Sequence, residues 1–180
     1  MIITNNEELL RVRCDDVTVE EVSELVAILE KELEHANSLG VGGIGLAAPQ
    51  IGLAKNIAIV RLKEHNFNLI NVKIEKGYDP GIFRSEGCLS FPGRVEDTTR
   101  FQEVFVTNNL VYPYKFVATG LLAVVCQHEI DHLNSSLFMD HTIPIPKEVK
   151  HKVRPNDPCS CGKVDPKTGL VRKFKKCCGK

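Results

Sequence analysis

The sequence lacks both a long hydrophobic run and a recognisable leader. Its longest purely apolar stretch is Leu121–Cys126, far below the ~20 residues that a membrane-spanning helix needs. Residues 1–8 have neither the basic start and apolar core of a secretory signal nor the Arg-rich, acid-poor composition of a transit peptide. We therefore expect no membrane association and a cytoplasmic location. In a reducing cytosol, cysteines serve metal binding or catalysis more often than disulfides.

The sequence also lacks a net charge, but its charges are unevenly distributed. Residues 1–151 contain 14 Lys and Arg against 21 Asp and Glu, a net charge of −7, whereas residues 152–180 contain 9 against 2, a net charge of +7. The length of 180 residues suits one catalytic domain with a small appendage. We predict three segments: a catalytic domain over 1–146, a linker over 147–156 and a basic tail over 157–180.

Hydrophobic patterns in the acidic body predict an α+β fold. Apolar residues at helical spacing from Val22 to a stop at Gly40 predict an N-terminal helix. Four β-branched segments predict strands of antiparallel sheets, over residues 57–62, 68–75, 103–108 and 112–117. The segment from Thr119 to Leu133 is apolar on most sides, which predicts a buried helix at the centre of the sheets.

The second predicted helix contains an H-E-x-x-H motif, His128-Glu129-Ile130-Asp131-His132. Two histidines four positions apart lie on one face of a helix, so both can reach one metal ion, and Glu129 can reach a water on that metal. The alternative is a solvated helix with two incidental histidines. The apolar surroundings argue against it, because buried histidines without a metal would be costly to desolvate.

The third ligand separates the enzyme classes that use this motif. A metzincin would place a third histidine where Phe138 stands, and a thermolysin-like protease would use a downstream glutamate, of which only Glu148 precedes the tail. Cys88 beside Gly87 is the better candidate, because a thiolate suits Zn²⁺ or Fe²⁺. Considered alone, Cys88 would be assigned to the core as a small apolar residue. The residues by themselves favour Zn²⁺.

Three motifs together resemble the signatures of the peptide deformylase family. They occur in the family's order as GIGLAAPQ at 43–50, EGCLS at 86–90 and QHEIDH at 127–132. The resemblance covers residues 1–143 and implies a metal held by Cys88, His128 and His132, with Fe²⁺ as the physiological ion and Zn²⁺, Ni²⁺ or Co²⁺ as substitutes. It also implies that the substrates are nascent peptides that begin with N-formylmethionine.

Removal of a formyl group is the hydrolysis of an amide, which assigns further residues. A metal can lower the pKa of a bound water from 15.7 to about 7, and Glu129 is placed to accept the proton and to deliver it to the leaving amine. The Gln50 side chain offers a donor to the oxyanion, and by resemblance the backbone N–H of Leu89 is the second donor. Glu86 and Asp131 are assigned to orienting the ligands.

The methionine side chain of such a substrate needs an apolar slot. We predict that it is formed by four residues: Ile44, Leu121, Val124 and Val125. For the three on the helix, plain core packing is the alternative. Gly43 and Gly45 would let an extended peptide pair with the chain edge. We assign no catalytic role to Gln127.

The basic tail carries Cys159, Cys161, Cys177 and Cys178, which resemble a SEC-C zinc motif, best known from the tail of the bacterial preprotein translocase ATPase. The resemblance implies a closed structural Zn²⁺ site, a small zinc knuckle. Fifteen residues separate Cys161 from Cys177, more than in the compact form of the motif. Closing the longer loop around a metal costs only a few tenths of a kcal/mol of additional free energy. A disordered tail with free thiols is the alternative.

The sequence therefore predicts a monomeric peptide deformylase whose tail docks on an anionic surface, with ribosomal RNA or an acidic ribosomal protein as the candidates. A tail that only solubilises the protein is the alternative to docking. Two other functions stay open at this point. One is an H-E-x-x-H metallopeptidase, which would cleave peptide bonds, and the other is a zinc-stabilised binding module without enzymatic activity.

Overall fold

A computed structural model of the chain describes residues 1–63, 65–143, 163, 165 and 173–178. The chain divides into two units, Met1–Ile143 and Pro144–Lys180. The elements of the first unit are α1 (Glu7–Leu10), α2 (Val22–Ser38), β1 (Gly45–Ala47), β2 (Ile57–Leu62), β3 (His65–Ile70), β4 (Lys73–Gly87), β5 (Val95–Thr107), β6 (Lys115–Thr119) and α3 (Gly120–Leu133), with 3₁₀ helices at Ala48–Ile51 and Phe138–His141. In the second unit, a 3₁₀ helix covers Phe174–Lys176. No helix within the described ranges combines the length and the apolar character of a membrane span.

The strands form two antiparallel sheets of three, in the orders β1-β2-β3 and β4-β5-β6. Antiparallel sheets with few helices confirm the predicted α+β class. Strand β2 has the predicted bounds, and its apolar residues Ile57, Ile59 and Val60 are fully buried. A strand buried on both faces reads as a continuous apolar run rather than as an alternation.

Helix α3 packs against both sheets. One core cluster joins Ala58, Val60 and Leu69 of the first sheet, Val104, Val106 and Ala118 of the second, and Ala123, Cys126 and Ile130 of α3. Contact on several sides explains why the sequence of α3 is apolar nearly all round. The prediction of a central buried helix is confirmed.

Helix α2 covers the first sheet by a separate apolar cluster. Leu29 and Leu33 of α2 pack there with Leu46, Ile57 and Ile59. Strand β1 contacts both α2 and α3.

Strands β3 and β4 are separate, although one strand over 68–75 was expected. The break is Asn71, whose φ of 47° lies in the left-handed region. Its side-chain amide donates to the carbonyl of Val17 at 2.9 Å and its Oδ1 accepts from the N–H of Val17 at 2.8 Å. Asparagine tolerates this conformation because its side chain can bond locally, and here these two bonds hold the N-terminal segment to the turn.

The hairpin of β4 and β5 is longer than expected, because its turn-forming residues lie inside the strand. Asp79, Pro80 and Gly81 suggest a turn in the sequence, yet Pro80 and Gly81 pair with β5. The register shifts between Phe83 and Glu86, and such an irregularity re-aims the strand. The shift lies directly before the segment that carries Cys88.

Candidate metal centre and its cavity

The three predicted metal ligands converge. The ligand atoms of Cys88, His128 and His132 all lie within 4.8 Å of one another, and the Cys88 Sγ lies 3.3 Å from the His132 Nε2. Helix α3 presents both imidazoles on one face because they are four residues apart. The irregular end of β4 brings the thiol to them.

The electrostatics of these groups fit a divalent cation. Burial holds the pKa of His132 well below its ordinary value, so this imidazole is neutral and its lone pair is available. Burial also acts to lower the pKa of His128, but hydrogen bonds with Cys88 and Glu86 outweigh it and raise this pKa. The Glu86 carboxylate beside this imidazole marks a place that favours positive charge. A thiolate with two imidazoles is a donor set that suits Zn²⁺ or Fe²⁺.

Glu86 orients one of the imidazoles. Its Oε1 lies 2.6 Å from the His128 Nδ1, which leaves Nε2 as the nitrogen available to a metal. Burial acts to raise the pKa of Glu86, but hydrogen bonds with His128 and Arg100 outweigh it and hold the pKa at about 2. The Thr98 hydroxyl also donates to this carboxylate, at 2.5 Å. Glu86 is therefore a charged acceptor with several donors around it.

Glu129 lies in the same cavity with one oxygen lacking a partner. Its side chain is 4 % exposed, and its Oε2 has no hydrogen-bond partner among the described residues. Burial raises the pKa of Glu129 to about 7. A buried carboxyl oxygen without a hydrogen-bond partner lowers the stability of the fold. This cost indicates that Glu129 is placed to contact a group that binds during function. A carboxyl with a pKa near neutrality can both accept and donate a proton.

Gly45 makes room for Glu129. A Cβ added at Gly45 would lie 2.3 Å from the Glu129 Oε1 and 2.8 Å from its Cδ. Only a glycine lets the backbone of β1 come this close to the carboxylate. The Gly-rich motif and the H-E-x-x-H motif therefore meet at this contact.

The predicted oxyanion donors lie beside the thiol. The Gln50 Oε1 accepts from the N–H of Ala47 at 2.8 Å, which fixes the amide so that Nε2 lies 3.5 Å from the Cys88 Sγ and 3.2 Å from the Ser90 Oγ. Gln50 is buried, and Leu89 lines the same cavity. The Gln50 side-chain amide thus borders the ligand cluster, whereas donation by the backbone N–H of Leu89 stays a prediction.

The cavity above the ligands has a volume of about 360 Å³. The predicted slot residues Ile44, Leu121, Val124 and Val125 all line it. Val124 and Val125 are buried, whereas Ile44 and Leu121 are partly exposed at the mouth. Phe83, Phe91 and Pro92 add further apolar surface to the lining. The cavity can hold an unbranched apolar side chain next to the ligand cluster.

The two glycines expected to pair with a peptide differ in what their backbones contact. The N–H of Gly43 donates to the Asn37 Oδ1 at 2.6 Å, and its carbonyl accepts from the Asn37 Nδ2 at 3.1 Å. Gly45 lies on β1, an edge strand. The Arg61 N–H donates to the Ile44 carbonyl, so Ile44 bonds to β2. Hydrogen-bonded and non-hydrogen-bonded residues alternate along an antiparallel strand, and the backbone groups of the next residue, Gly45, therefore point away from β2. Gly45 is therefore better placed than Gly43 to pair with an extended peptide.

Sequence reasoning missed Asn37 and Arg100. Asn37 lies in the last turn of α2 and carries no motif, so nothing linked it to Gly43. Arg100 is 2 % exposed and its side chain donates to both Glu86 and Asp131. No sequence pattern marks Arg100 as buried, because β5 buries Thr98, Arg100 and Val104 but leaves Gln102 between them exposed, so the inward alternation is broken.

The predicted zinc ligands of the tail are described only in part. Cys159 and Cys161 lie outside the described residues, as does the predicted linker. The Sγ atoms of Cys177 and Cys178 lie 4.0 Å apart. Their assignment to a zinc site stays a prediction.

Comparison with known proteins yields one family. The family model described as polypeptide deformylase matches residues 1–148. Peptide deformylase 2 of Vibrio vulnificus is 34% identical over 157 residues, which cover 84% of this chain and 90% of that protein. Peptide deformylase 1 of Pseudomonas syringae pv. tomato is 44% identical over 104 residues, which cover 55% of this chain and 62% of that protein. The crystal structure of a peptide deformylase from Synechococcus elongatus, in complex with actinonin, has a TM-score of 0.70 and 34% identity, and covers 79% of this chain and 78% of that one.

Proposed function

The chain belongs to the polypeptide deformylase family of metalloenzymes, and on that premise we propose that its cavity removes the formyl group from N-formylmethionine at the start of newly made polypeptides, with release of formate. The observation that carries the proposal is the convergence of the Cys88, His128 and His132 ligand atoms beside Glu129, whose second carboxylate oxygen lacks a partner among the described residues. An apolar cavity opens onto this group.

Cys88, His128 and His132 would hold the metal. A bound divalent ion supplies a water of lowered pKa, about 7 in favourable cases, and polarises a carbonyl oxygen. We propose Fe²⁺ as the ion in the cell, with Zn²⁺, Ni²⁺ or Co²⁺ as substitutes. Support for iron comes from the family resemblance, whereas the donor set accommodates zinc equally well.

Glu129 would move the proton. Hydrolysis adds water to the formyl carbon and breaks the bond between that carbon and the methionine nitrogen. Glu129 accepts a proton from the attacking water and passes it to the leaving nitrogen, so that formate and a free amine result. Its pKa of about 7 supports both transfers near neutrality. The Gln50 Nε2 and the backbone N–H of Leu89 would donate to the formyl oxygen as its charge develops.

The substrate would enter with its methionine side chain in the apolar cavity. Val124 and Val125 form buried walls, and Ile44 and Leu121 flank the mouth. The chain beyond the methionine would pair with the outward backbone groups of Gly45 on the edge strand β1. Main-chain pairing gives affinity that depends little on the following side chains.

Formate release from a formyl-Met peptide tests the proposed function. Protein purified without oxygen is incubated with a formyl-Met tripeptide and with the same tripeptide bearing a free amine. We expect stoichiometric formate and a new amine from the first and no reaction with the second. Cleavage of a peptide bond in either substrate, or no reaction with Fe²⁺, Ni²⁺ and Co²⁺ in turn, would contradict the proposal.

For the tail, we propose a structural Zn²⁺ held by Cys159, Cys161, Cys177 and Cys178, and docking of the +7 segment on an anionic part of the ribosome. Support comes from the charge separation in the sequence and from the resemblance of the cysteine pattern. Metal analysis should find one zinc in addition to the catalytic ion, and Cys159→Ser with Cys161→Ser should remove only that zinc.

Docking is tested by cosedimentation. A chain truncated after Val153 should turn over a small formyl-Met peptide as the full chain does, but lose the salt-sensitive part of its cosedimentation with ribosomes. Equal cosedimentation with and without the tail would remove the docking proposal and leave the zinc site to its own test.

A further inference from the structure

We propose that Arg100 is a positioning residue of the metal centre, which acts through Glu86 and Asp131 to hold the two ligand-bearing segments in register. The proposal rests on the proposed function, since it concerns the same site. Arg100 contacts neither the cavity nor the ligand atoms, and its effect on the metal passes through the two carboxylates.

The guanidinium of Arg100 uses all three of its nitrogens on these carboxylates. Nε donates to the Glu86 Oε2 at 2.8 Å and Nη2 to the Glu86 Oε1 at 2.6 Å, which makes a two-point contact. Nη1 donates to the Asp131 Oδ2 at 2.6 Å. Arg100 lies on β5, Glu86 near the end of β4 and Asp131 on α3, so one side chain ties three elements together.

Each carboxylate is adjacent to a ligand. Glu86 lies two residues before Cys88 and its Oε1 contacts the His128 Nδ1 at 2.6 Å. Asp131 is the neighbour of His132. Glu86 contacts the His128 imidazole directly, and the two carboxylates lie on the segments that carry Cys88 and His132, so fixing them holds those segments in place.

Only an arginine satisfies this arrangement. The planar fork matches a carboxylate at two points and still has a third nitrogen for another group, whereas a lysine offers one nitrogen on a flexible stem. Arg100 and Glu86 are 2% and 4% exposed at their side chains. Water therefore cannot substitute for a hydrogen bond that the Arg100–Glu86 pair loses, and the buried charges of this pair are stable only with all of their contacts in place.

A second contact holds α3 at the same place. The Gln127 side chain accepts from the N–H of Phe101 at 2.9 Å and donates to its carbonyl at 2.9 Å. Gln127 precedes His128, and Phe101 follows Arg100. The helix is thus attached to β5 beside the guanidinium, so a change at Arg100 alters ligand direction without detaching α3.

The test compares metal binding in Arg100→Lys, Arg100→Gln and a matched control, Arg61→Lys. Arg61 is also a hydrogen-bonded arginine in a strand, with Glu30 and Asn68 as partners away from the ligands. The full-length protein is freed of metal and titrated with Co²⁺, which is followed by the thiolate-to-cobalt absorption. We expect 10- to 100-fold weaker Co²⁺ binding in the Arg100 variants and a change below twofold in Arg61→Lys.

Further readouts separate positioning from plain stability. Thermal unfolding of the metal-free proteins shows which variants are folded at the titration temperature. Excess metal should restore most of kcat in Arg100→Lys with KM unchanged. In a double-mutant cycle with Glu86→Gln, Arg100→Lys should weaken Co²⁺ binding by a smaller factor than it does in the wild-type background, because only the contact with Asp131 is left for it to disturb fully.

The outcomes are distinct from those of the function test. Three results would each overturn the positioning role. The first is wild-type Co²⁺ affinity in a folded Arg100 variant, and the second is an equal loss of affinity in Arg61→Lys. The third is that the losses of affinity caused by Arg100→Lys and Glu86→Gln multiply in the double variant. Formate release by the wild-type protein is unaffected by these results, and it decides the proposed function alone.

Discussion

The contact between Gly45 and Glu129 provides a sharp test of how the site works. In Gly45→Ala, the new Cβ would lie 2.3 Å from the Glu129 Oε1 and 2.8 Å from its Cδ, whereas ordinary contacts begin near 3.4 Å. The carboxylate must therefore move by about 1 Å, a displacement that can reduce turnover about 10²-fold. Gly45 has no positive φ, so alanine strains no backbone there. The metal ligands lie on other residues and should keep their metal.

The assay is formate release over a range of substrate concentrations, with the metal content measured on the same sample. We expect kcat to fall about 10²-fold with one catalytic metal still bound. Gly81→Ala is the matched control in a strand, because its Cβ would meet only the movable end of the Gln102 side chain, at 3.2 Å. An unchanged kcat in folded Gly45→Ala would refute the placement of Glu129 against β1.

Three further predictions concern proton transfer, pH dependence and the core. Glu129→Gln should lower kcat by about 10²–10⁴ with an unchanged metal content, because an amide cannot carry the proton; metal analysis beside the formate assay checks this. Hydrogen bonding to Arg11 lowers the pKa of Asp140, so its stabilisation is present above the ordinary carboxyl pKa and is lost as the pH falls toward the lowered pKa. Asp140→Asn should therefore cost about 1 kcal/mol in urea unfolding at pH 7 and clearly less at pH 3, and an equal cost at both would contradict the assignment. Leu29→Ala, at a fully buried position, should cost about 2–5 kcal/mol, whereas exposed Leu39→Ala should cost under about 0.5 kcal/mol in the same assay.

The short motifs could be found in the sequence because their chemistry is local. The spacing of His128 and His132 places both on one helical face whatever the rest of the fold. The approach of Cys88 is different, since the 39 residues between Cys88 and His128 must fold so as to bring the thiol there. It was assigned by ligand chemistry and by resemblance, and the structure places its Sγ beside the imidazoles.

The parts that sequence reasoning missed depend on tertiary contacts. Asn71 ends a strand because its side chain binds a distant segment, which no local pattern contains. Pro80 and Gly81 have strong turn preferences, yet the long pairing with β5 overrides them. Arg100 reads as a solvated charge in a strand until Glu86 and Asp131 are seen on either side of it. Local sequence preferences therefore predict where helices and strands occur. The lengths of the strands and the pairing of buried charges become visible only in the three-dimensional structure.

The burial of α3 between two sheets has a consequence for how the ligand cluster opens. The amide hydrogens of α3 around His128 and His132 can exchange with solvent only when most of the core separates, whereas β4 is largely exposed up to Glu86. Opening of the hairpin therefore requires less free energy than opening of the helix. The ligand cluster therefore joins two segments of different exposure, and we expect amide exchange to be faster along β4 than along α3 around His128 and His132.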